Sequence, residues 1–209
     1  MVEKINSGSL RAQPENEDFK GKYENTSAIA KTLVNSYFTS VELLVAKIKV
    51  DSAHEIGVGE GFSTMRLRQF VANLTASEYL EKLVAKAQIN NPNISINRES
   101  VYDLNLKDNS TDLIFLLEVL EHLDHPSVAL KEIKRVTKKY LILGVPREPL
   151  WRILNMCRFK YLNNLGNTPG HLNHWSKKKI IKLIQKDFGT VIAVETPLPW
   201  TIILAKKDI

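Results

Sequence analysis

The sequence predicts an α/β fold, a mostly parallel sheet covered on both faces by helices. Three observations carry that prediction. Strand-like runs alternate with helix-period segments between residues 53 and 146, the signature of right-handed βαβ units. Two of the runs, LIFLL (113–117) and YLILGV (140–145), are almost continuously apolar, as strands buried on both faces are. Near the C-terminus VIAVETP (191–197) and WTIILAKK (200–207) are parted only by Leu198 and Pro199, which makes them an antiparallel hairpin.

Taken in order, residues 1–24 are polar and read as a loose tail. From Asn25 to Lys49, apolar residues at Ile29, Leu33, Val34, Tyr37, Phe38, Val41, Leu44 and Val45 form a helical stripe, in one piece or two. The alternation then runs from strand AHEIGV (53–58) and a helix over 62–70 to strand ANLTASE (72–78) and a helix over 80–90. Strand ISINRE (94–99), a turn at Asp108-Asn109-Ser110 and strand DLIFLLE (112–118) follow. A helix from Ser127 to Thr137 leads into KYLILGVP (139–146). Residues 147–175 break the rhythm, being rich in Trp, Arg, Asn, Gly and His, and a helix over 176–187 restores it. No internal repeat or low-complexity segment interrupts the pattern.

At 209 residues, with 44% hydrophobic and 25% charged, the chain has the size and composition of one ordinary globular domain. Its expected parts are an N-terminal tail and helices (1–50), a ligand-binding core (51–146), an insertion (147–175) and a closing helix with hairpin (176–209). The N-terminal stretch lacks the apolar core of a signal peptide, and no apolar run approaches the length of a spanning helix, so a cytoplasmic location is expected. Cys157 is the single cysteine, which excludes a disulfide framework and a cysteine-rich metal site. The net charge of +6 raises nucleic acid as a partner. The basic groups at 134–139, 177–179 and 206–207 are spread along the chain, however, and the first two read as solvated helix faces.

The ligand chemistry begins in HEIGVGEGFST (54–64), which follows an apolar run and opens a helix. Gly57, Gly59 and Gly61 alternate as G-x-G-x-G, whereas the dinucleotide fingerprint is G-x-G-x-x-G. Glu60 lies inside this loop, and a pyrophosphate on a helix N-terminus disfavours an adjacent carboxylate. The loop therefore argues against NAD and FAD and for a nucleoside ligand with positive charge. S-adenosylmethionine, with its sulfonium and amino groups, is such a ligand. Glu78 closes the second strand, where a following acid accepts from ribose hydroxyls in nucleotide-binding α/β sheets. Its other reading is a helix N-terminal acid favoured by the dipole.

These features in this order resemble the class I S-adenosylmethionine-dependent methyltransferases. The likeness rests on HEIGVGEGFST, Glu78, SVYDLNLKDNSTDLIFLLEVLEHLDHP (100–126) and, more loosely, GHLNHWSKKKIIKLI (170–184). It is nearest to the small-molecule branch of ubiquinone and menaquinone biosynthesis. The resemblance implies a Rossmann-like three-layer sandwich, a seven-stranded sheet of order 3-2-1-4-5-7-6 with strand 7 antiparallel. It also implies S-adenosylmethionine as cofactor and S-adenosylhomocysteine as product. By position, Glu55, Gly57, Gly59 and Gly61 cradle the methionine and ribose parts, Glu78 takes the ribose, and Tyr79 lies beside the adenine. Ser100 and Val101 fall where the family bonds the adenine amino group through an aspartate, so the serine weakens that contact or passes it to the backbone. Leu117 and Glu118 end the fourth strand under the methionine end.

His122, in LEVLEHL, either satisfies a backbone group at a helix start or stands by the methyl group as the catalytic residue, orienting the acceptor or taking its proton. Glu118, Glu121 and His122 lack the His-Glu-x-x-His zinc spacing, and His171 with His174 lacks a third ligand at a recognised spacing, so no metal is expected. The insertion leaves the fifth strand at the sheet's ligand-binding edge and is the expected chooser of the acceptor, with Trp151, Arg158, His171 and His174 as its candidate residues. Three readings of it stand: a surface helix closing the core, a cap over an apolar or anionic acceptor, or a helix touching a membrane surface. The expected activity is methyl transfer to a small-molecule or lipid-like acceptor. Two rivals are an RNA or protein methyltransferase and a catalytically silent cofactor-binding partner. Against base methylation, the place after strand 4 reads LEVLEH rather than Asn/Asp-Pro-Pro-aromatic, and Cys157 is not at a strand end.

Overall fold

The computed structural model describes residues 28–208. The polar segment 1–24 and the expected helix start at Asn25 lie outside the described residues. Seven strands form one sheet: β1 (Ala53–Ile56), β2 (Leu74–Glu78), β3 (Ile96–Arg98), β4 (Thr111–Leu117), β5 (Thr137–Pro146), β6 (Gly189–Glu195) and β7 (Trp200–Lys207). Their order is β3-β2-β1-β4-β5-β7-β6, with β7 antiparallel to both neighbours and the remaining pairs parallel. This is the expected Rossmann-like sandwich, down to the terminal hairpin. The hairpin's connection is longer than expected, because β6 ends at Glu195 and β7 starts at Trp200.

Two apolar layers hold the helices. On one face α1 (Ala28–Val45) buries Tyr37, Phe38, Val41 and Leu44 together with Phe115, Ile142 and Leu204 of the sheet. The helical stripe predicted over 25–49 is thus a single helix in its described part. Helices α2 (Phe62–Leu67) and α3 (Glu81–Asn90) add Leu67 and Ala87 to the same cluster. On the other face α4 (Pro126–Val136) and α6 (Lys177–Asp187) bury Leu130, Ile133, Ile180 and Ile184 against Ile114, Leu141 and Ile203. Central strand β4 faces both layers, which is why all seven of its residues are buried and why it reads as one apolar run. Pro126 opens α4, where its missing N–H costs nothing. Ser176 caps α6 by accepting from the Lys179 amide.

The strand order reverses between β1 and β4, which pair in parallel from Ala53↔Leu113 to Ile56↔Leu116. Chain leaving β1 turns toward β2, and chain leaving β4 turns toward β5, so a crevice opens beyond their carboxyl ends. Both ends depart sharply. β1 stops at Ile56, two residues earlier than the sequence pattern, because Gly57 has φ +74°. β4 stops at Leu117, and Glu118 takes φ +60°. A side-chain-bearing residue in that left-handed region is strained by ~1–3 kcal/mol, a cost found mostly where function requires it.

Candidate active site

The crevice is lined first by the loop between β1 and α2. Gly57, Gly59 and Gly61 all have positive φ, at 74°, 57° and 83°. At Gly57 a Cβ would meet the side chain of Val119 at 2.5 Å, so the loops after β1 and β4 approach as only glycine permits. The Gly57 and Val58 amides donate to Ser77 O at 2.9 and 3.3 Å, which ties the loop to β2.

Two carboxylates stand behind this loop. Glu78, 7% exposed, accepts from the Gly59 amide at 2.8 Å through Oε2 and from the Tyr79 and Leu80 amides at 2.8 and 3.1 Å through Oε1. Its carboxylate thus ties the turn just before α3 to the glycine loop. Glu55, 1% exposed, accepts from Thr64 Oγ1 at 2.6 Å, joining β1 to α2. Burial pushes the Glu55 carboxyl up to about 7, and the neighbouring Glu78 charge adds to the rise against donation from Ser63 and Thr64. Its chain neighbour His54 is a core residue between Thr75 Oγ1 (2.8 Å) and Ser77 Oγ (2.9 Å), and burial lowers its imidazole to about 4.

Glu60 serves the scaffold. Its Oε1 is 2.6 Å from Lys86 Nζ on α3, and its carbonyl accepts from Asn90. The acidity that disfavours a pyrophosphate therefore comes from Glu78, since burial favours the protonated form of Glu55 and Glu60 is neutralised by its lysine. A buried acid at the β2 end, a second beneath the loop and a backbone that comes close suit a cationic nucleoside. S-adenosylmethionine fits these residues on that ground.

Beyond the β2 end Tyr79 is 39% exposed beside Glu78, and Val101 is buried. Ser100 forms an isolated bridge with Asp103, and its Oγ accepts from the Tyr102 amide at 3.3 Å. Leu117 is buried at the end of β4, and the Glu118 amide donates to Gly144 O of β5.

The far wall is built from the turn Leu120–His122 and from the insertion. His122 Nδ1 lies 3.1 Å from Gly170 O, and its ring meets His171 edge to face at 4.9 Å between centroids. The Glu121 carbonyl accepts from the Leu172 and Asn173 amides at 2.9 and 3.0 Å, and Asn173 Nδ2 donates to Leu123 O at 2.7 Å. Of the four candidate acceptor residues, Trp151 and His171 come together, with ring centroids 5.9 Å apart. Trp151 starts α5 (Leu150–Cys157) and donates from Nε1 to Thr168 Oγ1 at 2.9 Å. Arg158, exposed at the α5 C-terminus, stands outside this group. So does His174, which pairs with Asn167 Oδ1 at 2.7 Å.

Two residues carry more here than the sequence reading gave them: Glu121, weighed there only as a metal ligand and set aside, and Glu148, which was not singled out. Glu121, 1% exposed, lies against His122 with Oε1 4.0 Å from Nε2. Its signal was its place in LEVLEH, next to the histidine. Glu148, just past β5, has a buried Oε1 without a partner among the described residues, and burial pushes its carboxyl up. Nothing in its local sequence marks it.

The methyltransferase domain family matches residues 54–143. No curated protein matches the chain. Among solved structures, the chain is similar to a magnesium protoporphyrin IX methyltransferase from Synechocystis with bound S-adenosylhomocysteine, at 16% identity and TM-score 0.65, over 90% of this chain and 97% of that one. It is similar to a SAM-dependent methyltransferase from Aquifex aeolicus at 19% identity and TM-score 0.63, over 80% and 89% of the two chains. The [4+2]-cyclase SpnF shares the fold too, at 14% identity and TM-score 0.61, over 81% and 80%. Over residues 54–143 the chain thus matches a methyltransferase domain, and the enzyme activity and cofactor this match supports are methyl transfer and S-adenosylmethionine.

Proposed function

We propose that the protein methylates a small, apolar or anionic acceptor held between the turn Leu120–His122 and the insertion 147–175. The observation that carries this reading is the wall of Trp151, His122 and His171, built from two separate segments at the carboxyl ends of β4 and β5. When bound, S-adenosylmethionine supplies a methyl group already activated on sulfur. The protein's work is then chiefly alignment, which is worth ~7–11 kcal/mol.

In this reading Glu78 turns to the ribose hydroxyls, and the Gly57–Gly61 loop lies along the methionine and ribose. Tyr79, Ser100 and Val101 border the adenine, and Leu117 and Glu118 floor the methionine end. His122 stands on the acceptor side of the crevice with Nε2 turned into it. Its Nδ1 is engaged by a carbonyl, so Nε2 carries the lone pair. Support for an apolar or lipid-like acceptor comes from the insertion's outer surface, where Phe159 is 85% and Leu165 66% exposed beside Arg158 and Lys160. Contact with a membrane surface would use the same residues. No helix among the described residues is long and apolar enough to cross a membrane.

Incubation with methyl-labelled cofactor and cell extract tests the acceptor class. Label is expected in the small-molecule or lipid fraction. Label in RNA or protein overturns that class, and no transfer despite intact S-adenosylhomocysteine binding supports the silent-partner alternative. The shared fold of the cyclase shows that this architecture alone does not fix the reaction.

A further inference from the structure

Glu121 and His122 are neighbours along the chain, and the fold brings His171 to them from far away. Glu121, His122 and His171 each offer one ligand atom, and those atoms lie within 4.8 Å of one another. We propose that these three side chains bind a divalent first-row metal ion, with an open position for an oxygen of the methyl acceptor. The acceptor role rests on the methyltransferase reading, whereas the metal site does not.

The donor set of two imidazoles and one carboxylate suits borderline first-row ions such as Zn²⁺, Mn²⁺ or Co²⁺ better than Mg²⁺ or Ca²⁺. The second observation is the orientation of His122. A metal-ligating histidine ordinarily donates its other ring N–H to a carbonyl or carboxylate, fixing tautomer and ring direction. His122 Nδ1 has that partner in Gly170 O at 3.1 Å, and Nε2 faces Glu121 Oε1 at 4.0 Å. The backbone also staples the two ligand segments together. The Leu172 and Asn173 amides both donate to the Glu121 carbonyl, which seats His171 across from His122.

Burial supports the same reading, since Glu121 is 1% and His171 8% exposed. A tetrahedral ion with bonds of ~2.1 Å keeps its ligands ~3.4 Å apart. The ligand atoms here, within 4.8 Å of one another, close by at most roughly 1.4 Å on binding, a side-chain adjustment.

Three protein ligands leave one or more coordination positions for a small molecule, the arrangement of catalytic rather than structural metal sites. Trp151 packs against His171 and limits that opening on one side. An acceptor hydroxyl or carboxylate oxygen entering there is held at the end of β4, and a coordinated hydroxyl gives up its proton to water more readily. The substrate class this selects is an oxygen-bearing acceptor.

The chain, freed of metal by chelator and dialysed, is titrated with Mn²⁺, Zn²⁺ and Co²⁺, with and without saturating S-adenosylhomocysteine. One equivalent of at least one ion is expected to bind, with Co²⁺ giving a visible spectrum of mixed imidazole and carboxylate ligation. His171→Ala and the near-isosteric Glu121→Gln are expected to weaken that binding by more than about 100-fold, with S-adenosylhomocysteine affinity within error of the parent. The proposal is overturned if none of the three ions binds stoichiometrically. It is equally overturned if binding survives both substitutions. Cofactor affinity, measured in the same samples, reports on the methyltransferase reading separately.

Discussion

At the scale of single residues the two buried acids divide the work. Glu78 accepts three backbone N–H groups, so its carboxylate is fixed before any ligand arrives. A preset charged acceptor for ribose hydroxyls is worth ~1.5–3 kcal/mol. Glu78→Gln keeps an acceptor oxygen for the loop but loses the charge. It is expected to weaken S-adenosylhomocysteine binding roughly 10–100-fold, as read by calorimetry, and an unchanged affinity would remove Glu78 from the ribose site. Glu55 and His54 titrate in opposite senses. The folded imidazole holds out to about 4, so the unfolded chain takes its proton first, and this stability is present above 6.5 and lost on acidification toward 4. The folded Glu55 carboxyl keeps its proton to about 7, so its contribution is present below 4.5 and lost as pH rises through 7. Each displacement is worth about 3 kcal/mol, and the two offset each other between pH 4.5 and 6.5. Glu55→Gln stays neutral throughout. Its stability relative to the parent is expected to climb by about 3 kcal/mol between pH 5 and 8, visible as a divergence of urea midpoints, and parallel curves would contradict the buried-acid account.

At the scale of elements, the glycine loop works because it is locked to its neighbours. Gly61 caps α2 at φ +83°, and a Cβ there would meet Ala87 Cα at 3.1 Å and Cβ at 3.2 Å on α3. Those are backbone and near-backbone atoms that cannot swing away. Gly61→Ala combines a left-handed alanine with overpacking and is expected to cost about 2–4 kcal/mol, measured by chemical denaturation. A loss below 1 kcal/mol would mean the loop yields easily. This element was legible in the sequence because its chemistry is local: alternating glycines after an apolar run have few other uses. The strand pattern was legible for a related reason, since β4 is buried on both faces and shows it as LIFLL. The ends of elements were less legible. β1 loses two expected residues to the positive φ of Gly57, and the helix expected to reach residue 70 stops at Leu67. Glu60 illustrates the remaining gap. Its place inside the loop was plain, but its ion pair with Lys86 depends on how α3 packs.

At the scale of the whole molecule, function lies where distant segments meet. His171 reaches His122 because the insertion leaves β5, forms α5 and returns across the β4 end before α6. Spacing along the chain carries no trace of that meeting, so the metal cluster was invisible while each histidine was noticed alone. The crevice at the switch point is likewise shared, since the loops after β1, β2 and β4 each contribute a wall and no single unit of the sheet suffices. A ligand spanning the switch point therefore stabilises both halves of the sheet at once. S-adenosylhomocysteine at a hundred times its Kd adds about 2.7 kcal/mol. For a chain of this length that corresponds to a rise in Tm of about 5–10 °C. Glu78→Gln at the same concentration is expected to retain about 2–3 °C of that shift, because ligand at about three times the Kd of a 30-fold weaker site adds only about 0.9 kcal/mol. His171→Ala is expected to retain the whole shift, as its side chain lies on the acceptor wall. Thermal melts of the three proteins with and without ligand measure all of this together. An equal loss in both variants would join the two walls into one site, and no shift in the parent would take the cofactor away from this crevice.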